Sequence, residues 1–331
     1  MSEYILAIDQ GNTHTRAVLA SREGDLLSLG LAEGACHAYV GMDKAMRAIA
    51  SACQAALQQA GVQSKQLSLM MGGITGADWA DEYPLLEDNI RRLGFCENVK
   101  VVNDSLIALR AGTEQPFGVI LILGSGGNCA VRAPDGREFI YGYYQEWLLQ
   151  GADGLGRRVL NAIYQAQTGR VPETRLTQAA LQVFHLPDVD SLLRADVEGR
   201  LPPEGIRGLA PLLFEVGYQG DWVANQIIHD FGLGCAGLIT AALKRFDMTR
   251  LEVEVVLSGS IFRAQGSLLR EALATGIHAV APRARLVAAR YEPVVGAALL
   301  GLEYLGESIT PERRNRIERS ARRLNLLQHN A

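Results

Sequence analysis

The sequence predicts an α/β fold with two domains, each headed by the same run of short strands. Three observations support this prediction. The chain has 331 residues, more than a single hydrophobic core usually serves. Apolar strand patterns alternate with helical patterns along the chain. A strand–turn–strand–turn–strand pattern begins near residue 4 and is repeated near residue 117.

Composition narrows the functional class. The chain is 48% hydrophobic and 21% charged, which is typical of a globular enzyme. Its net charge of −4 argues against binding nucleic acid through a basic surface. No apolar run is long enough to cross a bilayer, and residues 4–8 fit a strand better than a leader. We therefore expect no nucleic-acid partner and no membrane segment.

The five cysteines are scattered, and none has C-x-x-C spacing. Such a set is typical of reduced thiols in a reducing compartment, so we expect a cytoplasmic protein. The spacing also offers no zinc or iron–sulfur ligand pattern.

The repeated unit accounts for the start of each domain. In the first copy, strands are predicted at 4–8, 15–20 and 26–29, separated by turns at 9–12 and 23–25. In the second copy, strands are predicted at 117–123, 128–132 and 138–141, separated by turns at 124–127 and 134–136. One supersecondary unit is therefore used twice.

The remaining segments complete the two domains. Helices are predicted at 43–60, 84–93, 105–111, 264–274 and 293–305, and further strands at 67–71, 99–102, 253–257 and 284–289. Residues 151–250 form a helical stretch with a loop at Pro202 and Pro203. We predict an N-terminal domain at 1–115 and a C-terminal domain with a helical insertion at 116–331. A helix from about residue 294 is expected to pack back onto the N-terminal domain.

The C-terminal tail is predicted as a basic amphipathic helix. Thr310 suits the N-cap and Pro311 suits the first helical position. Apolar side chains fall on one helical face, at Ile317, Ala321, Leu324 and Leu327. Packing against its own domain or a dimer mate is favoured over nucleic-acid binding, because acidic residues dilute the basic charge.

The first turn of each repeat carries groups that suit phosphate. The turn Asp9-Gln10-Gly11-Asn12-Thr13 lies between two strands, so it is neither a Rossmann fingerprint nor a Walker loop, which both need a following helix. Backbone N–H groups and the Thr13 hydroxyl can face an anion, and Asp9 can hold magnesium or its waters. Taken alone, an ordinary hairpin is the favoured interpretation.

The second turn, Gly124-Ser125-Gly126-Gly127, has the same position in its domain. It again offers backbone donors and a hydroxyl. Two such hairpins facing each other across an interdomain cleft would hold a polyphosphate from both sides, so the pair is stronger evidence than either turn.

Asp104 follows a predicted strand and precedes a helix. Ligands bind at this edge of open α/β sheets, and a carboxylate there can accept a proton from an attacking hydroxyl. The alternative is a helix N-cap, which the spacing alone favours.

These residues and several others match a known family in order along the chain. The chain resembles the N-acetylglucosamine kinase and BadF/BadG ATPase group within the superfamily of actin-like ATPases and sugar kinases. The matching segments are Ile8-Asp9-Gln10-Gly11-Asn12-Thr13, Val102-Asn103-Asp104, Leu123-Gly124-Ser125-Gly126-Gly127-Asn128, Gly151-Ala152-Asp153-Gly154-Leu155-Gly156, Leu257-Ser258-Gly259-Ser260 and Val295-Gly296-Ala297-Ala298.

The resemblance implies two ribonuclease-H-like domains that close over ATP and Mg²⁺. It implies Asp104 as general base for a sugar hydroxyl, the 6-hydroxyl of N-acetylglucosamine or glucosamine, and Asp9 as the residue that orders the magnesium waters. Contacts to ATP are implied for Asp9, Gly11, Asn12, Thr13, Gly124, Ser125, Gly126, Gly259, Ser260 and Gly296. Contacts to the sugar are implied for Asn128, Asp153, His37 and Gly73, and the enzyme is expected to be a homodimer.

The sequence departs from the family pattern mainly where the sugar would bind. Cys36 stands where relatives often have asparagine, and Ala152 replaces an acidic residue beside Asp153. In the first phosphate motif, Gln10 and Asn12 replace glycines. These departures leave the identity of the sugar open. An aromatic group at Tyr141, Tyr143, Tyr144 and Trp147 is expected to pack in a core or an interface rather than on a sugar.

Two other functions stay open. The BadF branch includes ATP-driven activators of radical dehydratases, which hold an iron–sulfur cluster with paired cysteines, and no pair here fits that pattern. A nucleotide-dependent sensor or scaffold without sugar transfer is the other alternative, supported by Ala152 and Cys36.

Overall fold

A computed structural model describes residues 3–146 and 149–328, and the chain divides into two compact units. Of the described residues, the first unit contains 3–118, 134–140 and 287–328; the second contains 119–133, 141–146 and 149–286. The second unit therefore ends at Leu286 and not at residue 331, because the chain beyond it supplies core helices to the first unit.

The first unit is built on a five-stranded sheet with the order β3-β2-β1-β4-β5. Its strands are β1 (Tyr4–Gln10), β2 (His14–Ser21), β3 (Leu26–Glu33), β4 (Leu67–Ile74) and β5 (Val99–Asn103). The first three form an antiparallel meander, and β4 and β5 run parallel to β1. Several strands extend past their predicted ends, so Gly72 and Gly73 lie inside β4 and not in a loop.

The two faces of this sheet carry different helices, since alternate residues of a strand point to opposite sides. The helices here are α1 (His37–Val40), α2 (Met42–Ala60), α3 (Glu82–Arg91) and α4 (Asp104–Gly112). Leu6 and Ile8 of β1 pack with α2 and α3, whereas Ile5 and Ala7 pack with α4 and with a helix from the C-terminal region. The short helix α1 was not predicted.

A second five-stranded sheet has the same pattern, and most of its residues belong to the second unit. Its strands are β6 (Gly118–Leu123), β7 (Gly127–Arg132), β8 (Glu138–Ile140), β9 (Glu254–Ser258) and β10 (Arg285–Ala288), in the order β10-β9-β6-β7-β8. If β6 is counted as its first strand, the order read from the β8 edge is 3-2-1-4-5, the same as in the first sheet. The predicted repeat is thus confirmed as a repeat of topology.

Between β8 and β10 the chain is mostly helical: α5 (Gly151–Gln167), α6 (Leu176–Phe184), α7 (Val189–Val197), α8 (Pro203–Tyr218), α9 (Trp222–Arg245) and α10 (Leu268–His278). The predicted loop is confirmed up to Pro202, which is the N-cap of α8, whereas Pro203 is the first residue of the helix, where its missing N–H costs nothing. In the described part of the chain, α9 alone has the length and apolar character of a membrane span. Half of the 18-residue apolar stretch within this helix is buried inside the protein.

The chain then returns to the first unit with α11 (Pro293–Tyr304) and α12 (Pro311–Arg323). As predicted, Thr310 caps α12 by accepting a hydrogen bond from the Arg313 amide at 3.2 Å. Ile317 and Ala321 are buried in the core of the first unit, which confirms that the tail packs on its own domain. Of the predicted aromatic group, Tyr141 is buried, Tyr143 and Tyr144 are each 69% exposed, and Trp147 lies outside the described residues.

Helix α4 approaches its neighbours unusually closely because of two glycines. A Cβ on Gly296 of α11 would lie 1.8 Å from the carbonyl oxygen of Ile107, and one on Gly73 of β4 would lie 2.3 Å from the Ile107 side chain. Any side chain at either position would therefore push α4 away from the sheet or from α11.

We expect Gly296→Ala to destabilise the protein by about 1–3 kcal/mol, because the added methyl overlaps the backbone of α4. The measurement is the thermal or denaturant unfolding midpoint.

Gly208→Ala in α8 is the matched control, since a Cβ there has no atom within 4 Å. It should stabilise the protein by up to about 1 kcal/mol through helix propensity. Equal effects of the two changes would contradict the packing argument.

Candidate active site

Two carboxylates lie at one edge of the first sheet. Asp9 is near the end of β1, and Asp104 follows the end of β5 as the first residue of α4. β1, β4 and β5 are parallel, so their carboxyl ends share an edge, which is where open α/β sheets bind ligands. The register pairs Asp9 with Gly73 of β4 and Gly73 with Val102 of β5, so Asp104 follows two residues beyond the position level with Asp9.

Asn103, and not Asp104, is the N-cap of α4. Its Oδ1 accepts from the Ser105 amide at 3.0 Å, while its Nδ2 donates to Asp78 Oδ1 at 2.7 Å and to the Ala77 carbonyl at 3.1 Å. The N-cap interpretation of Asp104 is therefore wrong. The buried Asn103 fixes the helix start, and the Asp104 carboxylate is available for another role.

The environment of Asp104 suits a general base. Burial raises the pKa of Asp104 to about 6, and the negative charge of Asp78 adds to this effect. A hydrogen bond from the Thr75 hydroxyl opposes part of this rise in the pKa of Asp104. A base with a pKa near the working pH is ionised yet still accepts a proton readily.

Asp9 is only 7% exposed, and burial raises the pKa of Asp9 to about 7. Arg16 opposes the shift from the neighbouring strand, with Nη1 3.6 Å from Oδ2, while Asp104 and Glu292 raise the pKa further. This concentration of negative charge would be relieved by a cation.

The donor set fits magnesium more closely than a metal held by protein ligands alone. Among the described residues no group of three or more His, Cys, Asp or Glu side chains could hold a metal ion. Magnesium commonly uses one or two carboxylates together with waters and substrate phosphates, and Asp9 provides such a carboxylate.

The turn after β1 presents free backbone donors. Within the described part of the chain, the amides of Asn12 and Thr13 donate to no protein acceptor, and both residues are exposed. Adjacent free N–H groups form a concave site for an anion. The Gln10 side chain is not part of this turn's surface, because it is buried and donates to the Ala45 carbonyl at 2.9 Å.

The turn after β6 has the same property in the second unit. Across residues 3–146 and 149–328, no acceptor is found for the amides of Ser125 and Gly126. Their geometry is held from α5, where Ala152 N donates to Gly124 O at 2.9 Å and Asp153 N donates to Ser125 O at 3.0 Å. Both repeats therefore expose two successive amides at the same point of the fold.

A cavity of about 720 Å³ lies in the second unit beside the predicted adenosine motif. Apolar and aromatic side chains form much of its wall, namely Ala152, Pro211, Phe214, Tyr218, Ile261 and Ala264. Gln219, Gln265 and Ser260 add neutral polar groups, and Arg207, Glu215 and Arg263 add charged groups. Gly259 follows β9, has a φ of +107° and packs directly on Leu123. In this conformation it leads the chain from β9 to Ser260 in the cavity wall. Apolar faces with a few amides suit a nucleobase.

The predicted sugar contacts differ in their surroundings. Asn128 has its Oδ1 buried without a partner among the described atoms, as expected of a group that awaits a ligand. Asp153 is instead paired with Arg207, with Nε 2.7 Å from Oδ1. His37 is a largely buried residue of α1, 3.8 Å from Glu82, with Nδ1 unpartnered in the described part of the protein.

Gly296 and Gly73 are both buried against Ile107, so close packing of α4 accounts for the glycine at each position. The ATP contact at Gly296 and the sugar contact at Gly73 stay predictions.

Thr75 and Arg16 were not among the predicted site residues. A signal for Arg16 was available, since the hairpin register places it opposite Asp9.

Comparisons with known proteins agree with this architecture. The sequence matches the BadF/BadG/BcrA/BcrD ATPase family over residues 6–301, and the chain belongs to that family. It is 26% identical over 316 residues to the N-acetyl-D-glucosamine kinase of Dictyostelium discoideum, covering 91% of this chain and 98% of the relative. It is 22% identical over 301 residues to the N-acetylmuramic acid/N-acetylglucosamine kinase of Clostridium acetobutylicum, covering 90% and 98%.

Among solved structures, the chain is similar to a candidate N-acetylglucosamine kinase from Chromobacterium violaceum. The TM-score is 0.64 at 26% identity, covering 90% of this chain and 98% of the other. The predicted two-domain fold of the actin-like ATPase and sugar kinase type is thereby confirmed.

Asp104→Asn is expected to raise the free energy of unfolding at pH 8 and to leave it nearly unchanged near pH 4. Because burial raises the pKa of Asp104, the folded protein keeps a proton that the unfolded chain releases between about pH 4 and pH 6. Stability is thus lost as the pH rises through this window, by about 1–3 kcal/mol. Denaturant unfolding at both pH values measures the difference.

Asp135→Asn serves as control, because hydrogen bonds from Arg137 lower the pKa of this exposed group. Its effect at pH 8 should be small and of opposite sign. A stabilisation by Asp104→Asn that is equal at both pH values would show that charge burial is not its cause.

Proposed function

We propose that this protein is a soluble, cytoplasmic, ATP-dependent sugar kinase that phosphorylates an amino sugar, N-acetylglucosamine or glucosamine, at the 6-hydroxyl. The observation that carries the proposal is Asp104, a partly buried carboxylate at the edge of the sheet where open α/β folds bind ligands, with a pKa raised to about 6. Membership of an ATPase family and the names of the two curated relatives support the same reaction class.

In the proposed reaction, Asp104 accepts the proton of the sugar hydroxyl as that oxygen attacks the γ-phosphorus of ATP. The bond from the γ-phosphorus to the β–γ bridging oxygen breaks, and ADP leaves. Thr75 holds the carboxylate by its hydrogen bond, and Asn103 holds the helix that carries it. General base catalysis of this kind contributes about 10²–10⁴-fold.

Phosphate binding is assigned to the two repeated turns. The free amides of Asn12 and Thr13 in one unit, and of Ser125 and Gly126 in the other, would each donate to phosphate oxygens. Gly11 and Gly124 allow the backbone of their turns to approach the phosphate. Magnesium would neutralise phosphate charge during transfer, and Asp9 is the residue that would hold its waters.

Adenosine is assigned to the cavity of the second unit, with Ser260 at its wall and Gly259 directly before it in the chain. Tyr218 and Phe214 provide aromatic surface, and Gln219 and Gln265 provide amides that can read the edge of a base.

Asn128, His37 and Asp153 are proposed to contact the sugar. The buried free Oδ1 of Asn128 and the free Nδ1 of His37 support this assignment. Asp153 would act together with its ion-pair partner Arg207. A homodimer is the proposed assembly.

Asp104→Asn should lower the turnover number by about 10²–10⁴-fold with the preferred sugar, because the amide cannot accept the proton. A coupled assay of ADP release across N-acetylglucosamine, glucosamine and neutral hexoses measures this loss and identifies the acceptor. The 6-deoxy analogue of the preferred sugar should release no ADP.

Binding of ATP to Asp104→Asn, measured by calorimetry, should match the wild type, and Asp135→Asn should keep full turnover. Full sugar-dependent turnover by Asp104→Asn would refute its assignment as base. ATP consumption that no sugar stimulates in the wild type would favour the sensor alternative.

Ala264→Trp is expected to raise the KM for ATP at least about tenfold, because an indole would occupy space in the proposed adenosine cavity. The KM for the sugar should stay unchanged. Steady-state kinetics with each substrate varied in turn make the distinction.

Leu193→Trp introduces the same side chain on an exposed position of α7 and should leave both constants unchanged. An unchanged KM for ATP in Ala264→Trp would place the nucleobase elsewhere.

A further inference from the structure

The C-terminal tail, defined as α12 together with residues 324–328, lies beyond the family match, which ends at residue 301. Its first attachment is to the turn between β2 and β3. Ser320 Oγ accepts from the Leu26 amide at 3.0 Å, and an Arg323 amino group donates to the Leu26 carbonyl at 2.7 Å. Arg316 is paired with Asp25 at 3.0 Å.

The second attachment is to the linker 290–292, which leads into α11. Leu327 forms a β-bridge with Tyr291, the Glu292 amide donates to the Leu326 carbonyl at 2.9 Å, and the Gln328 amide donates to the Arg290 carbonyl at 3.0 Å. Two side chains of the linker also reach Glu318 of α12: the Tyr291 hydroxyl at 2.6 Å and Arg290 at 2.8 Å. The tail therefore fixes both the backbone and the side chains of the linker.

The linker ends in Glu292, whose side chain reaches the candidate active site. Glu292 Oε2 is 3.4 Å from Arg16 Nη1, and the same nitrogen is 3.6 Å from Asp9 Oδ2. Glu292 precedes α11 without a side-chain capping hydrogen bond, so its carboxylate serves the ion pair with Arg16. A continuous chain of contacts thus runs from Leu326 through Glu292 and Arg16 to Asp9.

We propose that the tail is a positioning element for the active site, which holds Glu292 so that Arg16 orients the Asp9 carboxylate. This inference rests on the proposed function, in which Asp9 would hold the waters of the Mg²⁺ that accompanies the nucleotide. Glu292 and Arg16 act through Asp9 and are positioning residues.

A purely stabilising tail would not need this arrangement. Its anchors on the turn at Asp25 and Leu26 already bury Ile317 and Ala321 in the core. The tail also forms backbone hydrogen bonds with the linker at Arg290 and Glu292. Glu292 is the linker residue whose carboxylate pairs with Arg16. Groups that orient a metal-binding carboxylate are typically worth 10–100-fold in affinity or activity.

The test is a double-mutant cycle between Glu292→Gln, which removes the charge facing Arg16, and Leu326→Ala, which loosens the tail beside its hydrogen bond to Glu292. Leu326 is 1% exposed. Each variant is measured for the affinity of Mg²⁺–ADP by calorimetry, for turnover, and for the KM of the sugar. Leu86→Ala is the matched control, since it removes a fully buried leucine from the opposite face of the same sheet.

We expect Glu292→Gln to weaken Mg²⁺–ADP binding and to lower turnover, each by about tenfold, with an unchanged KM for the sugar. Leu326→Ala should show the same pattern to a smaller extent, whereas Leu86→Ala should lower only the unfolding midpoint. The double variant should stay within about twofold of Glu292→Gln alone, because both changes interrupt one chain of contacts.

Effects of the two changes that multiply, or a Leu326→Ala variant with the same constants as Leu86→Ala, would overturn the proposal. The calorimetric arm needs no sugar. Loss of Mg²⁺–ADP affinity in a protein that phosphorylates no sugar would therefore support the tail's role and count against the proposed transfer reaction alone.

Discussion

The close seating of α4 is the constraint on which the first unit depends. Gly73 below it and Gly296 beside it leave no room for a Cβ, so α4 settles directly on β4 and α11. The buried Asn103 then fixes where the helix begins. Asp104 is the first residue of that helix, and its place at the sheet edge follows from these two packing contacts. Two glycines on neighbouring elements thus determine where the Asp104 carboxylate lies.

The charge distribution of the site opposes folding. Asp9 and Asp104 are both buried enough for their pKa to rise to about 7 and about 6, which means that ionising them costs folding free energy. The protein offsets part of this cost with Arg16 for Asp9 and with the Thr75 hydroxyl for Asp104. Neither compensation is complete, and a cation with phosphate would supply the missing positive charge and hydrogen-bond partners. Such opposing demands are common at functional sites, where stability is given up for reactivity.

Local patterns made much of this fold and site predictable. The repeat, the strand that precedes Asp104 and the exposed turns at Asn12 and Ser125 follow from short-range periodicity and turn residues. The packing of α4 on Gly73 and Gly296 was not predictable, because a glycine in a sequence does not show whether a ligand or a helix approaches it. The cavity of the second unit was not predictable, since α8 and residues 260–265 form much of its wall and lie far apart in the chain. The hydrogen bond between the Glu292 amide and the Leu326 carbonyl also joins residues distant in the chain, so it was not predictable either.

The two repeats share a topology but not a charge. Each sheet has the same strand order, and each first hairpin exposes two free amides. The first strand of the first unit ends in Asp9 and Gln10, whereas that of the second ends in the buried Leu123. Backbone donors come with the shape of the hairpin and so survive in both copies, but a carboxylate must be encoded by a particular residue. Among the described residues, the duplicated unit therefore presents a pair of free amides in both copies and a carboxylate at the end of its first strand in the first copy only.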